Sequence, residues 1–302
     1  MIPFVRAFDF AYGRCDVVSP LIRRVVANNP GPFTFTGTGT YVVGRPAAGA
    51  SVAVIDPGPP DEAHLAALLA AVEGQRVSHV LVTHTHRDHA PLARPFAEAV
   101  GAPVLAARPP ARTVHVSATL DEEDDDAFAP DVVLEGGERI DGGDWTLEAV
   151  PTPGHASNHM AFALREENAL FSGDHVMGWS TTVVAPPDGD MTAYMASLDT
   201  VIAGEFATIW PTHGPPIRDP EPFLQAYRAH RLEREAQVLE QLAAGAARIS
   251  GMTPSLYAAV DQRLWPAASL SVWAHLIALE QAGRVEADPA PTLDATWRLR
   301  EA

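Results

Sequence analysis

The chain alternates short apolar runs with turns of glycine, proline and acidic residues. Between residues 34 and 56, Thr and Val alternate among glycines and "SVAVID" runs into the turn "DPG", which predicts strands ending at turns. "DEAHLAALLAAVEG" (61–74) predicts a helix capped by Asp61 and ended by Gly74. "VSHVLVTH" predicts a buried strand, "APLARPFAEAVG" a helix stopped by Gly101, and "APVLAA" another strand. Such alternation predicts layered α and β structure. Short strands follow in "DVVLEGGERI", "WTLEAVPTPGH" and "HMAFALREENALFSGDH", the last with a hairpin around "REEN". "MTAYMASLDTVIAG" (191–204) predicts a helix, and "TIWPTHGPP" a strand running into a loop.

Near residue 218 the texture becomes helical. "PEPFLQAYRAHRLEREAQVLEQLAAG" predicts one long helix ending at Gly245. "TPSLYAAV", "AASLSVWAHLIALEQAGRV" and "TWRLR" then give the order of a small winged-helix unit. Two units are expected, residues 1–218 and 219–302. Leu270, Trp273, Leu276, Ile277 and Leu279 form the expected core face of the penultimate element. Arg228, Arg231 and Arg234 share a helical face among Glu233 and Glu235, so an exposed charged face is expected.

Composition narrows the function. The formal net charge is −17, and all 21 basic side chains are arginine. Phosphate backbones are repelled by such a surface on average. Residues 222–302 carry eight Arg against nine Asp plus Glu. A packing or dimerisation role for the tail, with a possible homodimer, is therefore favoured over nucleic-acid reading. Cys15 has no partner for an internal disulfide, and a structural role is expected for it. No stretch has the length of a bilayer span, and "MIPFVRAFDFAYGR" lacks the apolar core of a secretory signal, so a cytoplasmic setting without membrane contact is expected. The acidic run "DEEDDD" (121–126) is expected to be a solvated loop.

"VLVTHTHRDHA" (80–90) crowds His84, His86, Asp88 and His89 into six positions. Strand alternation points His84 and His86 the same way as the strand runs out. A turn, with a helix starting near 89, brings Asp88 and His89 beside them. Imidazoles with a carboxylate suit Zn²⁺, Fe or Mn²⁺, and one cation seldom needs all four. His155 in "PTPGHASNH", Asp174 in "LFSGDH" and His213 in "WPTHGPP" also end apolar strands, where sites collect in layered folds. Asp56 in "IDPG" is a candidate to orient a ligand from behind. His159 is a candidate donor to an oxyanion or leaving group. His175 is expected to be structural. His64, His79, His115, His230 and His275 lack a matching context.

HTHRDH, GHASNH, SGDH and THG, with "VAVIDPG" upstream, resemble the motif series of the metallo-β-lactamase superfamily over about residues 30–218. "SGDHVMGWSTTVV", "YMASLDTV" and "HRLEREAQVLEQL" with the tail resemble its β-lactamase-like protein 2 branch. One departure is "APLARP" after HTHRDH, where many members have a glycine pair. The resemblance implies an αββα sandwich with a winged-helix appendage and two divalent metals, zinc first. It implies that His84, His86 and His155 hold one metal, that Asp88, His89 and His213 hold the other, and that Asp174 bridges them. Metal coordination lowers the pKa of water from 15.7 to about 7. A metal-bridging hydroxide then attacks, with Asp88, Asp174 and His159 as the expected catalytic side chains. Ester, thioester, lactam and phosphodiester bonds stay open, in a small-molecule or short nucleic-acid substrate. The branch also implies single-strand RNA cleavage. A glyoxalase II-like thioester hydrolase keeps the same ligands but calls for a basic cluster in the C-terminal part. β-Lactamases are usually exported. A non-catalytic winged-helix protein with a relict site is disfavoured, because all seven ligand positions are filled.

Overall fold

Seven strands pair in chain order into one sheet: β1 (Cys15–Val17), β2 (Ile22–Val26), β3 (Gly39–Val43), β4 (Ser51–Ile55), β5 (Arg76–Val82), β6 (Val104–Ala107) and β7 (Val132–Leu134). From β1 to β4 the pairing is antiparallel; from β4 to β7 it is parallel. A second sheet holds β8 (Arg139–Asp141), β9 (Thr146–Pro151), β10 (Met160–Leu164), β11 (Ala169–Gly173) and β12 (Thr208–Pro211), in the order 12-11-10-9-8. Only β11 and β12 run parallel within it. The computed structural model describes residues 1–110, 125 and 127–300. Most of the acidic run 121–126, and His115, lie outside those residues.

Strand alternation builds the layers. Tyr41, Ile55 and Leu81 of the first sheet face Leu147, Phe162 and Phe171 of the second in a common core. Val42, Val54 and Val80 face the other way, onto Leu68 of helix α1 (Glu62–Ala71) and Phe96 of helix α2 (Ala93–Val100). Ala161, Leu170 and Ile209 face Tyr194 and Leu198 of helix α3 (Met191–Ala203). The result is the expected αββα sandwich. Asp61 caps α1 through the Ala63 N–H, as its position predicts.

The tail comprises α4 (Pro220–Ala243), α5 (Ile249–Leu256), α6 (Trp265–Gln281) and the antiparallel pair β13 (Val285–Asp288) and β14 (Thr296–Leu299). α4 serves two cores. Phe223, Leu224 and Tyr227 join the α3 layer, whereas Val238 and Leu242 pack with Leu270, Trp273, Leu276 and Trp297. Ile277, half-buried, joins that second cluster, so the expected core face of α6 is in place. α5 starts four residues before the "TPSLYAAV" segment, because Ile249 and Met252 are buried along with Thr253. Among the described residues, no helix is long and apolar enough to cross a membrane.

The arginines of α4 overturn the expected exposed charged face. Arg231 is 4% exposed and donates through Nη2 to the Thr182 carbonyl at 2.5 Å. Arg234 donates to the Leu256 carbonyl and lies over the Tyr257 ring. Arg228 pairs with Asp199, and Glu235 with Arg284. Each guanidinium is therefore committed to a different neighbour. They do not make the common basic cluster that a glyoxalase II-like site calls for.

His64 on α1 gives a pH prediction. Its Nε2 lies 2.9 Å from Thr40 Oγ1, and burial pushes its pKa down to about 4. The unfolded chain then binds more protons between about pH 6.5 and 4, so stability is full above that window and falls as pH drops through it. This one group is expected to cost about 2 kcal/mol between pH 7.5 and 5. Urea melts at the two pH values should show a loss smaller by that amount in His64→Gln. An equal loss in both proteins would contradict it.

Candidate metal centre

Four strand ends converge. β4 runs into Asp56, β5 into the 83–92 turns, β11 into Asp174 and β12 into His213, while His155 sits on the loop after β9. The Gly39 N–H donates to the Thr212 carbonyl at 2.8 Å, which ties the two sheets together at this edge. α2 starts at Ala93 rather than near 89. The intervening residues form turns in which the His89 and Ala90 N–H groups both donate to the His86 carbonyl.

The seven residues expected as ligands come together here. His84, His86 and His155 form one group, Asp88, His89 and His213 a second, and His84, His89 and Asp174 a third; within each, candidate ligand atoms lie within 4.8 Å of one another. His213 Nε2 is 3.0 Å from Asp88 Oδ2 and 3.4 Å from Asp174 Oδ2. His89 Nε2 is 3.5 Å from Asp88 Oδ2 and 3.6 Å from Asp174 Oδ1. Asp174 thus lies between the groups.

Hydrogen bonds behind the rings fix their tautomers. His155 Nδ1 donates to the Val183 carbonyl at 2.7 Å, and His213 Nδ1 to the Gly37 carbonyl at 3.3 Å. His89 Nδ1 donates to Asp56 Oδ2 at 2.9 Å. Thr83 Oγ1 donates to Asp56 Oδ2 and so accepts from His84 Nδ1. With each Nδ1 proton committed, the Nε2 atoms of His84, His89, His155 and His213 are left to face the centre. His89 Nε2, His155 Nε2, His213 Nε2 and Asp174 Oδ1 are buried without a hydrogen-bond partner. Orphaned buried groups of this kind are costly unless something binds them, and a cation fits every one.

Electrostatics agree. Burial opposes charge on His213, but Asp174 and Asp88 outweigh it and push the ring up to about 10. His89 is raised well above its ordinary value against the same burial, by Asp88, Asp174 and Asp56. His86 falls to about 3 through burial and the neighbouring His155, and His84 falls well below its usual range through burial and His89. The centre is thus a pair of carboxylates that demands positive charge, beside imidazoles held neutral. Imidazoles and carboxylates in this mix are donors for Zn²⁺, Fe or Mn²⁺.

Asp56 lies where the sequence places it, behind the histidines. It is fully buried at φ 50°, accepting from the Thr83 N–H, Thr83 Oγ1, His89 Nδ1 and Thr212 Oγ1. His159 does not act as expected. Its Nε2 accepts from the Asp174 N–H at 3.1 Å and its Nδ1 lies 2.8 Å from Thr152 Oγ1. No ring nitrogen remains to donate to an oxyanion or a leaving group, and His159 instead holds the Asp174 backbone. Gly173 makes this possible: a Cβ there, at φ +52°, would sit 2.5 Å from His159 Nε2. His175 is buried against the Tyr194 ring and belongs to none of the three ligand groups.

A cleft of about 160 Å³ opens beside His155 and Asp174. One wall is the 177–183 loop with Met177, Trp179 and Val183; the other is the tail, with Arg231, Tyr257, Val260 and Leu264. No motif marks this wall, because its residues are distant along the chain and ordinary in type.

A family model described as metallo-beta-lactamase superfamily matches residues 34–213, spanning every strand end of the centre. The chain belongs to that superfamily. A second family model, the beta-lactamase associated winged helix domain, matches residues 249–297. The lactamase-like protein aptB of Emericella nidulans is 30% identical, over 99% of this chain and 97% of its own length. The beta-lactamase-like protein 2 homolog of Caenorhabditis elegans is 31% identical, over 75% of this chain and 72% of its own length. An atrochrysone carboxyl ACP thioesterase of Aspergillus chevalieri is 34% identical, over 74% and 67%. A beta-lactamase domain protein from Burkholderia ambifaria has the same fold, with a TM-score of 0.78 and 21% identity over 99% of this chain and 97% of its own. This superfamily member is a hydrolase with a His and Asp metal-binding cluster.

Proposed function

We propose that this protein is a thioesterase dependent on two divalent cations, zinc first among them. The apolar cleft beside His155 and Asp174 carries the reading. A cleft whose described lining includes Met177, Trp179, Val183, Tyr257 and Leu264, with Arg231 as its one guanidinium, suits an acyl chain better than a phosphate backbone. The net charge of −17 also weighs against RNA. A relative at 34% identity bears the name of an acyl carrier protein thioesterase, which supports the choice of bond.

His84, His86 and His155 would hold one cation, Asp88, His89 and His213 the other, with Asp174 between them. When bound, the cations polarise the acyl carbonyl and bring water to a pKa near 7. Hydrolysis joins the water oxygen to the acyl carbon and breaks the C–S bond. A thiol has a pKa of about 8.5, so the thiolate leaves without a proton donor. That matches the residues present. His159 is locked, and burial with Arg231 and Arg234 holds His230, in the cleft wall, down at about 4. Alkoxide and amine leaving groups would need a proton donor, and among the described residues neither His159 nor His230 is placed to be one. Residues 1–218 would thus carry the hydrolytic centre, and 219–302 the wall that shapes the substrate.

The test is a metal-reconstituted panel of acyl thioesters and short single-stranded RNAs, with metal analysis of the protein. Thioester turnover with intact RNA is expected. RNA cleavage that disappears in Asp174→Asn, without thioester turnover, would replace this reading with the nuclease one.

A further inference from the structure

Arg231 is a buried cation with no acid among the described residues to neutralise it. Its Nη2 is used by the Thr182 carbonyl, and its guanidinium lies 4.8 Å from the Tyr194 ring centroid and 5.7 Å from that of Tyr227. Its Nε is buried without a hydrogen-bond partner, and no Asp or Glu is among the groups that act on its charge. Its neighbours on α4 add no counter-charge: His230 is held neutral, and Arg234 is engaged elsewhere. A cation taken from water without a counter-ion is costly, and folded chains rarely keep one without a use. Arg231 also lines the cleft that His155 and Asp174 line.

We propose that Arg231 receives a carboxylate on the acyl part of the substrate, so that the enzyme selects acidic acyl thioesters over neutral ones. The inference rests on the thioesterase reading for the reaction, though not for the binding. The same cleft is lined by candidate metal ligands, by apolar side chains and by one guanidinium supplied by the tail. A single guanidinium, 4% exposed, suits one compact anion inside the cleft rather than the phosphates of a thiol carrier. The same side chain ties the site together. Thr182, whose carbonyl it holds, donates through Oγ1 to the Asp174 carbonyl at 2.8 Å.

Two uncleavable thioethers of N-acetylcysteamine test this, one with a 4-carboxybutyl arm and one with a pentyl arm. Calorimetry on the metal-loaded protein should show the carboxylate form binding at least about tenfold tighter, the size of one charge-assisted contact. Arg231→Met should erase the preference, and Arg231→Lys should keep part of it. A purely structural clamp would weaken both ligands equally in Arg231→Met. Equal binding of the two ligands by the wild type overturns the proposal without any variant, even if Arg231→Met melts early. A preference that survives in Arg231→Met overturns it too. So does a gain with pentanoyl-CoA over its N-acetylcysteamine counterpart that depends on Arg231, since the anion would then be the carrier phosphate. If the carboxylate preference holds and neither glutaryl nor pentanoyl thioester is turned over, the thioesterase reading fails and the Arg231 assignment stands.

Discussion

Asp174→Asn is expected to lower the metal content from two ions per chain to about one and to reduce turnover by more than about 100-fold. Losing a group that only orients a ligand costs roughly 10–100-fold, and Asp174 would offer a ligand atom itself. It lies 3.4 Å from His213 Nε2 and 3.6 Å from His89 Nε2, so it balances positive charge on both sides of the centre. Asparagine keeps the shape and removes the charge. Two ions brought within about 4 Å of each other repel unless an anion lies between them. Metal analysis and steady-state kinetics of the same preparation check this. Full metal content with normal turnover would remove Asp174 from the centre.

Asp56→Ala is expected to destabilise the fold by roughly 3–5 kcal/mol and to weaken metal binding about 10–100-fold. It strands four buried donors: the Thr83 N–H, Thr83 Oγ1, His89 Nδ1 and Thr212 Oγ1. The threonine hydroxyls can turn to other acceptors, but the His89 ring cannot. Asp56→Asn separates the two effects. Asparagine tolerates φ 50° and keeps one acceptor, so most of the stability should return. An amide NH₂ facing His89 Nδ1 would favour the other tautomer, with its proton aimed at the centre, so the metal defect should persist. Urea melts and chelator competition resolve the two. Normal metal affinity in Asp56→Asn would show that His89 does not depend on this tautomer.

The centre was legible in the sequence because its side chains gather where apolar runs end, with His84, His86, His155, Asp174 and His213 each beside glycine or threonine. Strand ends announce themselves in this way, and the superfamily motifs fix their order. The residues that local pattern misses or misplaces have partners far along the chain. β2 reads as "IRRVV", which does not alternate, yet all five residues are buried. Arg23 reaches the Ala71 carbonyl and Gln75 Oε1, and Arg24 lies over the Phe8 ring. His159 faces the Asp174 backbone fifteen residues on. Arg231 looked like one member of a solvated charge ladder, because its acceptor, the Thr182 carbonyl, is 49 residues away. Local pattern places a side chain on a face; it does not say which carbonyl arrives to meet it.

α4 spans 24 residues, a rod of about 36 Å. Its first half is anchored under the second sheet and its second half is clasped by the small core of the tail. The helix therefore works as a splint, and the tail is not a detachable module. Cutting the chain after the helix would strip Val238 and Leu242 of their partners and remove Tyr257 and Leu264 from the cleft in one stroke. Sequence drift within the tail, by contrast, can remodel the far side of the cleft while every metal ligand stays fixed on the sheets. One scaffold can in this way change its choice of substrate without relearning how to break the bond.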